Sequence, residues 1–177
     1  MIRKTCVAVG CVLCAVALLA REPAWIFNNG PDARLMSLGQ GQLYTEVGLT
    51  KLVPTGMDMT VSVPMNAADA FPAAERPFFA VRYKYRTAVK QGGLFFTTDT
   101  LTELSDTSYS PFPVIGDNSW RTAIVDLRAF AHKAWTGTIT SFRFDPINPS
   151  DTDSVCEVSR FGFFPSREAA QIGRAHV

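Results

Sequence analysis

Histidine is almost missing from this chain: two in 177 residues, His132 and His176. No His-Glu-x-x-His pair marks a zinc peptidase, and no Gly-x-Ser-x-Gly marks a nucleophile elbow. A Ser-His-Asp set would have to rest on His132, the one histidine outside the last few residues. There is no glycine-rich phosphate loop, because Gly92-Gly93 opens a strand rather than a helix. Paired carboxylates for glycoside hydrolysis are not singled out among Glu46, Asp58, Glu75 and Glu103. The chain is therefore expected not to be an enzyme, with part of a glycoside hydrolase as a remote alternative.

Cysteine is scarce too, and unevenly placed. Three of the four, Cys6, Cys11 and Cys14, lie in the first fourteen residues. Only Cys156 belongs to the rest, so no internal disulfide is available there and the fold must be held by its core. Charge of one sign is lacking as well. Lys and Arg number 17 against 16 Asp and Glu, a net charge of +1, which removes the electrostatic basis for nucleic-acid binding. Repeats, heptads, low-complexity tracts and recurring helical patterns are missing, which excludes solenoids, coiled coils and parallel α/β folds.

The chain does hold an N-terminal targeting pattern. Arg3 and Lys4 precede an apolar run to Ala20 that ends in small residues, the build of a secretory signal peptide over residues 1–20. An uncleaved anchor is the alternative, but the run is short for a span of about 20 residues. Acylation at Cys11 is disfavoured by the little apolar sequence before it. At the other end, residues 172–177, IGRAHV, read back into codons as a widely used short-read sequencing adapter. The natural chain is thus expected to continue past about Gln171.

Residues 21–171 read as one domain of short strands punctuated by Gly, Pro, Asn and Asp. The clearest strand is Phe78 to Thr87. Phe79, Val81, Tyr83 and Tyr85 share one face, and Arg82, Lys84 and Arg86 share the other with Ala80. Further strands are expected at Trp25–Phe27, Leu35–Leu38, Gln42–Leu49, Met57–Val63, Leu94–Thr98, Trp120–Leu127, Ile139–Phe144 and Val155–Phe164. Ala67–Arg76 reads as a loop with at most one helical turn, and Asp99–Pro113 as a long loop. Asp126 caps a short turn, and Ser166 starts a helix. The fold class is all-β, an antiparallel β-sandwich.

The stretch from Trp120 to Ala169 carries a resemblance. Trp120, Val125-Asp126-Leu127, Trp135-Thr136-Gly137-Thr138-Ile139, Phe142-Arg143-Phe144-Asp145-Pro146, Val158, Phe163-Phe164 and Glu168-Ala169 are similar to a pattern in galactose-binding-like, carbohydrate-binding-module-like jelly-roll sandwiches of large bacterial proteins. Trp25-Ile26-Phe27-Asn28 resembles the family's first strand. The resemblance covers roughly Trp25 to Gln171. It implies a secreted or cell-surface, non-catalytic module that binds a polysaccharide or cell-wall glycan, near the N-terminal end of a larger exported protein. A spacer or protein-interaction sandwich without a sugar site is the alternative. Membrane contact would come only through an uncleaved N-terminal segment.

A sugar site needs a flat aromatic face and a few hydrogen-bonding groups. Tyr109, Phe112 and Trp135 are the aromatic candidates, with Arg82, Lys84 and Arg86 as polar partners; Trp120, Asp117 and Asn118 belong to the wider set. For Trp120 and Trp135, positions at strand ends favour core packing over a platform. The basic stripe reads first as a solvated strand face. Arg143 and Asp145, two apart on one face, read as a structural pair. The resemblance also implies a structural Ca²⁺, for which Asp151, Asp153 and Glu157 are the oxygen donors to consider.

Overall fold

The computed structural model describes residues 24–26, 37–46, 48–129 and 134–172. The expected signal segment, Phe27, His132 and the last five residues lie outside them. Twelve strands occur among the described residues: β1 (Ala24–Ile26), β2 (Ser37–Gly39), β3 (Gly41–Glu46), β4 (Leu49–Pro54), β5 (Thr60–Pro64), β6 (Phe71–Pro72), β7 (Phe78–Arg86), β8 (Gln91–Thr98), β9 (Tyr109–Pro113), β10 (Arg121–Asp126), β11 (Thr138–Asp145) and β12 (Val155–Phe164). One short helix, α1 (Arg167–Ile172), follows.

The strands form two six-stranded antiparallel sheets. The first runs β10-β7-β12-β4-β3, with β1 also paired to β12; the second runs β2-β5-β11-β8-β9, with β6 also paired to β11. The antiparallel sandwich read from the sequence is the architecture observed. Each sheet buries one face. From β7 come Phe79, Val81, Tyr83 and Tyr85; from β11, Phe142 and Phe144; from β12, Phe161 and Phe163. Period-2 alternation makes this automatic, since every second side chain points to the same face.

The core is rich in aromatic rings. Phe112 stacks on Phe144 with centroids 5.9 Å apart at 9°, and Trp135 stacks on Phe163 at 5.6 Å and 18°. Burying one such side chain contributes about 1.5–3 kcal/mol. Cys156 is buried and unpaired, as its place in a strand predicts.

Three sequence expectations change here. The single strand expected at Gln42–Leu49 ends at Glu46, and a separate strand, β4, runs back beside it from Leu49 to Pro54. The stretch from Asp99 to Pro113 is not all loop: its last five residues are β9, the edge of the second sheet. Pro111 and Pro113 favour a loop by local pattern, but an edge strand tolerates residues without an N–H. Ala67–Arg76 likewise holds the two-residue β6 beside its expected turn, Ala73–Glu75. The other local signals act as read. Asp126 Oδ1 accepts from the Arg128 amide at 3.1 Å, and Ser166 Oγ accepts from the Ala169 amide at 3.1 Å. Gly137 turns the chain into β11 at φ +70°, and a Cβ there would meet the Asp99 carboxylate. That carboxylate accepts from the Thr138 amide at 3.0 Å.

Candidate functional site: the outer faces of the two sheets

Because the inner faces are packed, a ligand must use the outer faces or the rims. This removes two aromatic candidates. Phe112 is 1% exposed and Trp135 is 5% exposed; both are core residues, not ligand platforms. Phe112 points inward because Tyr109, three positions earlier in the strand, points outward. The Trp135 indole N–H is satisfied inside, donating to the Ala73 carbonyl at 2.8 Å, as a buried tryptophan requires. Trp120 departs from its expectation in the opposite direction: it is 39% exposed rather than core.

Tyr109 stands on the outer face of the second sheet, half-buried. Strand register places it opposite Phe95, Phe95 opposite Arg143, and Arg143 opposite Ser62. These four side chains form one row across β9, β8, β11 and β5. Three inter-strand steps of about 4.8 Å make the row about 14 Å long. Phe95 and Tyr109 have ring centroids 4.6 Å apart at 35°. Tyr109 lies over Gly93: a Cβ on that glycine would fall 2.4 Å from the tyrosine ring. The missing Cβ leaves room for this close approach. The Gln91 side-chain amide donates to the Tyr109 hydroxyl at 2.7 Å and fixes the ring's far end.

Arg143 continues the row. Its guanidinium centre is 4.4 Å from the Phe95 centroid. Its Nε and Nη2 donate to Asp145 Oδ1 and Oδ2 at 2.9 and 2.8 Å, and Asp58 Oδ1 is 3.7 Å from Nη2. The structural role read for Arg143 and Asp145 is present, since the planar fork is held by two charge-assisted bonds. Burial raises the Asp145 carboxyl above its ordinary value, while the Arg143 bonds pull it back. The pair holds Arg143 still more firmly protonated. Two rings tilted 35° to each other, a fixed guanidinium, an amide and the exposed Asp58 thus share one face. Such a set meets the apolar face of a pyranose with carbon and its hydroxyls with donors and acceptors.

Sequence reading missed Phe95, Gln91 and the role of Gly93. The signal for Phe95 was available. In Leu94-Phe95-Phe96 alternation buries the outer two, so the middle ring must face out. Nothing in the sequence alone set Tyr109 beside it, because that pairing needs the β8–β9 register.

The outer face of the first sheet holds the basic stripe. Arg82, Lys84 and Arg86 face outward, as alternation predicts. Lys84 Nζ is 2.8 Å from Glu157 Oε2. The Arg82 guanidinium centre lies 5.3 Å from the Trp120 ring centroid. The far end of this face is apolar and is covered by α1, where Ala170 packs with Ala80, Phe164 and Ile124.

The calcium expectation is not met. Among the described residues no three His, Cys, Asp or Glu side chains converge on a cation position. Glu157 is committed to Lys84 on the sheet. Asp151 Oδ1 is occupied within its own turn, accepting from the Asp153 amide at 3.1 Å and the Ser154 hydroxyl at 2.8 Å. Asp151, Asp153 and Glu157 are turn and sheet residues, not a ligand shell.

No family model matches the chain, and no curated protein matches it. Solved structures do. A family 29 carbohydrate-binding module superposes with a TM-score of 0.60 at 15% identity, covering 88% of this chain and 99% of its own. A variant of such a module complexed with cellulohexaose gives 0.57 at 14% identity, over 82% and 95%. Another, complexed with mannohexaose, gives 0.56 at 14%, over 86% and 97%. At these identities the likeness establishes a shared fold: this chain folds as those modules do, over nearly their whole length.

Proposed function

We propose that this chain is a non-catalytic glycan-binding module whose main site is the outer face of the second sheet. One observation carries the reading: Tyr109, Phe95, Arg143 and Ser62 stand in a single cross-strand row, with the Tyr109 ring over Gly93. The row offers carbon in its Tyr109–Phe95 half and polar groups in its Arg143–Ser62 half and at its flanks. Neutral sugar chains with alternating apolar and hydroxyl surfaces fit that order. The fold is shared with modules solved with cellulohexaose and mannohexaose, so gluco- and manno-oligosaccharides are the ligands to try first. The pattern of Met1–Ala20 supports export, which would bring the module to an extracellular polysaccharide.

Affinity electrophoresis through gels holding soluble glucans or mannans tests this. The full chain is expected to be retarded in at least one, and Phe95→Ala to run unretarded. A folded protein retarded by no polysaccharide contradicts the reading.

A further inference from the structure

The first sheet's outer face carries different chemistry, and the sandwich separates it from the Tyr109 row. Arg82, Lys84 and Arg86 alternate along β7. Across the sheet, register sets Glu157 opposite Lys84 and Lys51 opposite Glu157. Glu157 neutralises Lys84. Among the described residues, Arg82, Arg86 and Lys51 have no carboxylate partner. The other acids near this face are Glu46 at the far end of β3, Glu168 on α1, Asp151 and Asp153 in the hollow they share with Arg86, and Asp117 and Asp126. Arg121 and Arg128 already occupy the last two.

At the β10 edge of this face is an open cleft of about 410 Å³, lined by Trp120, Ile115, Pro113, Arg82, Arg121 and Thr122. Trp120 and Ile115 are 39% and 49% exposed. Arg121 is spent on Asp117, so Arg82 is the cation left facing the cleft. Its stacking on Trp120 restrains the guanidinium and shields one side of it from water.

We infer that this cleft is a second sugar subsite, selective for an acidic residue of the uronate type. Trp120 and Ile115 take the apolar side of the pyranose. Arg82 takes the carboxylate, whose planar oxygen pair matches the guanidinium fork. The Thr122 hydroxyl is placed to bond a ring hydroxyl. Arg86 and Lys51, further along the face, favour the approach of a polyanionic chain. This ligand differs in charge from that proposed for the Tyr109 row; Pro113, at the other end of β9 from Tyr109, borders the cleft.

Calorimetric titration of the full chain with an oligogalacturonate, a sulfated oligosaccharide and cellohexaose tests the assignment. The oligogalacturonate is expected to bind and to weaken as sodium chloride rises. Arg82→Gln and Trp120→Ala should each weaken it by roughly tenfold or more, with an unchanged melting temperature for Arg82→Gln. Tyr109→Ala should leave it untouched. Four outcomes overturn the inference: no oligogalacturonate binding by folded protein, binding that survives both variants, binding of the sulfated sugar alone, or loss of binding with Tyr109→Ala. Cellohexaose reports on the other face, so failure here is distinguishable from failure there.

Discussion

Arg143 shows how one side chain serves both stability and a surface. It is about a quarter exposed, while the carboxylate it grips is almost fully buried. Removing that carboxylate leaves a half-buried guanidinium with the more distant, mostly exposed Asp58 as its remaining acid. Asp145→Ala is therefore expected to lower stability by about 1–3 kcal/mol, the usual cost of unpairing a charge-bonded buried group; chemical denaturation measures it. Cys156 gives a second test at this scale. Burial pushes its thiol well above the ordinary range, and thiolate is the reactive form. Peptide mapping after alkylation should find Cys156 unmodified in the native protein and modified after denaturation. Trp135 gives a third. Its ring stacks on Phe163 and its N–H bonds a carbonyl, so Trp135→Ala should cost about 3–5 kcal/mol. A cost near zero would mean that the ring is not in the core.

At the scale of elements, the β8–β9 hairpin builds the proposed site. Gly93 lets the Tyr109 ring approach the sheet, so a methyl there must displace the ring. Gly93→Ala is expected to weaken glycan binding by roughly tenfold while changing the melting temperature little, because the ring edge can swing outward. Unchanged affinity would show that the ring's position over the glycine is not used. This hairpin also marks where sequence reading stopped. β7 was readable in full, because four aromatic or apolar residues alternate there with three cations. β9 was not, because Tyr109-Ser110-Pro111-Phe112-Pro113 alternates correctly but carries two prolines, and proline in a strand is tolerated only at an edge. Whether a strand is an edge depends on the whole sheet order. Trp120 was misjudged for the same reason: its exposure depends on β10 lying at the margin of its sheet.

For the whole molecule, the sandwich follows from composition and spacing: many short alternating runs, few helical signals, and aromatics enough to fill the space between two sheets. The sites do not follow in the same way. Each is a row or cleft made by residues from separate strands, and cross-strand register lies beyond what local pattern can give. What the fold provides is two outer faces of opposite character, one aromatic with a fixed ion pair, one basic with a tryptophan at its margin. Sugar binding is proposed for the aromatic face. Titration calorimetry of the full chain and of Tyr109→Ala with cellohexaose and mannohexaose tests it most directly. The account predicts that the full chain binds at least one hexasaccharide and that Tyr109→Ala, equally folded by circular dichroism, loses at least about tenfold in affinity. Equal affinity of the two proteins would contradict it.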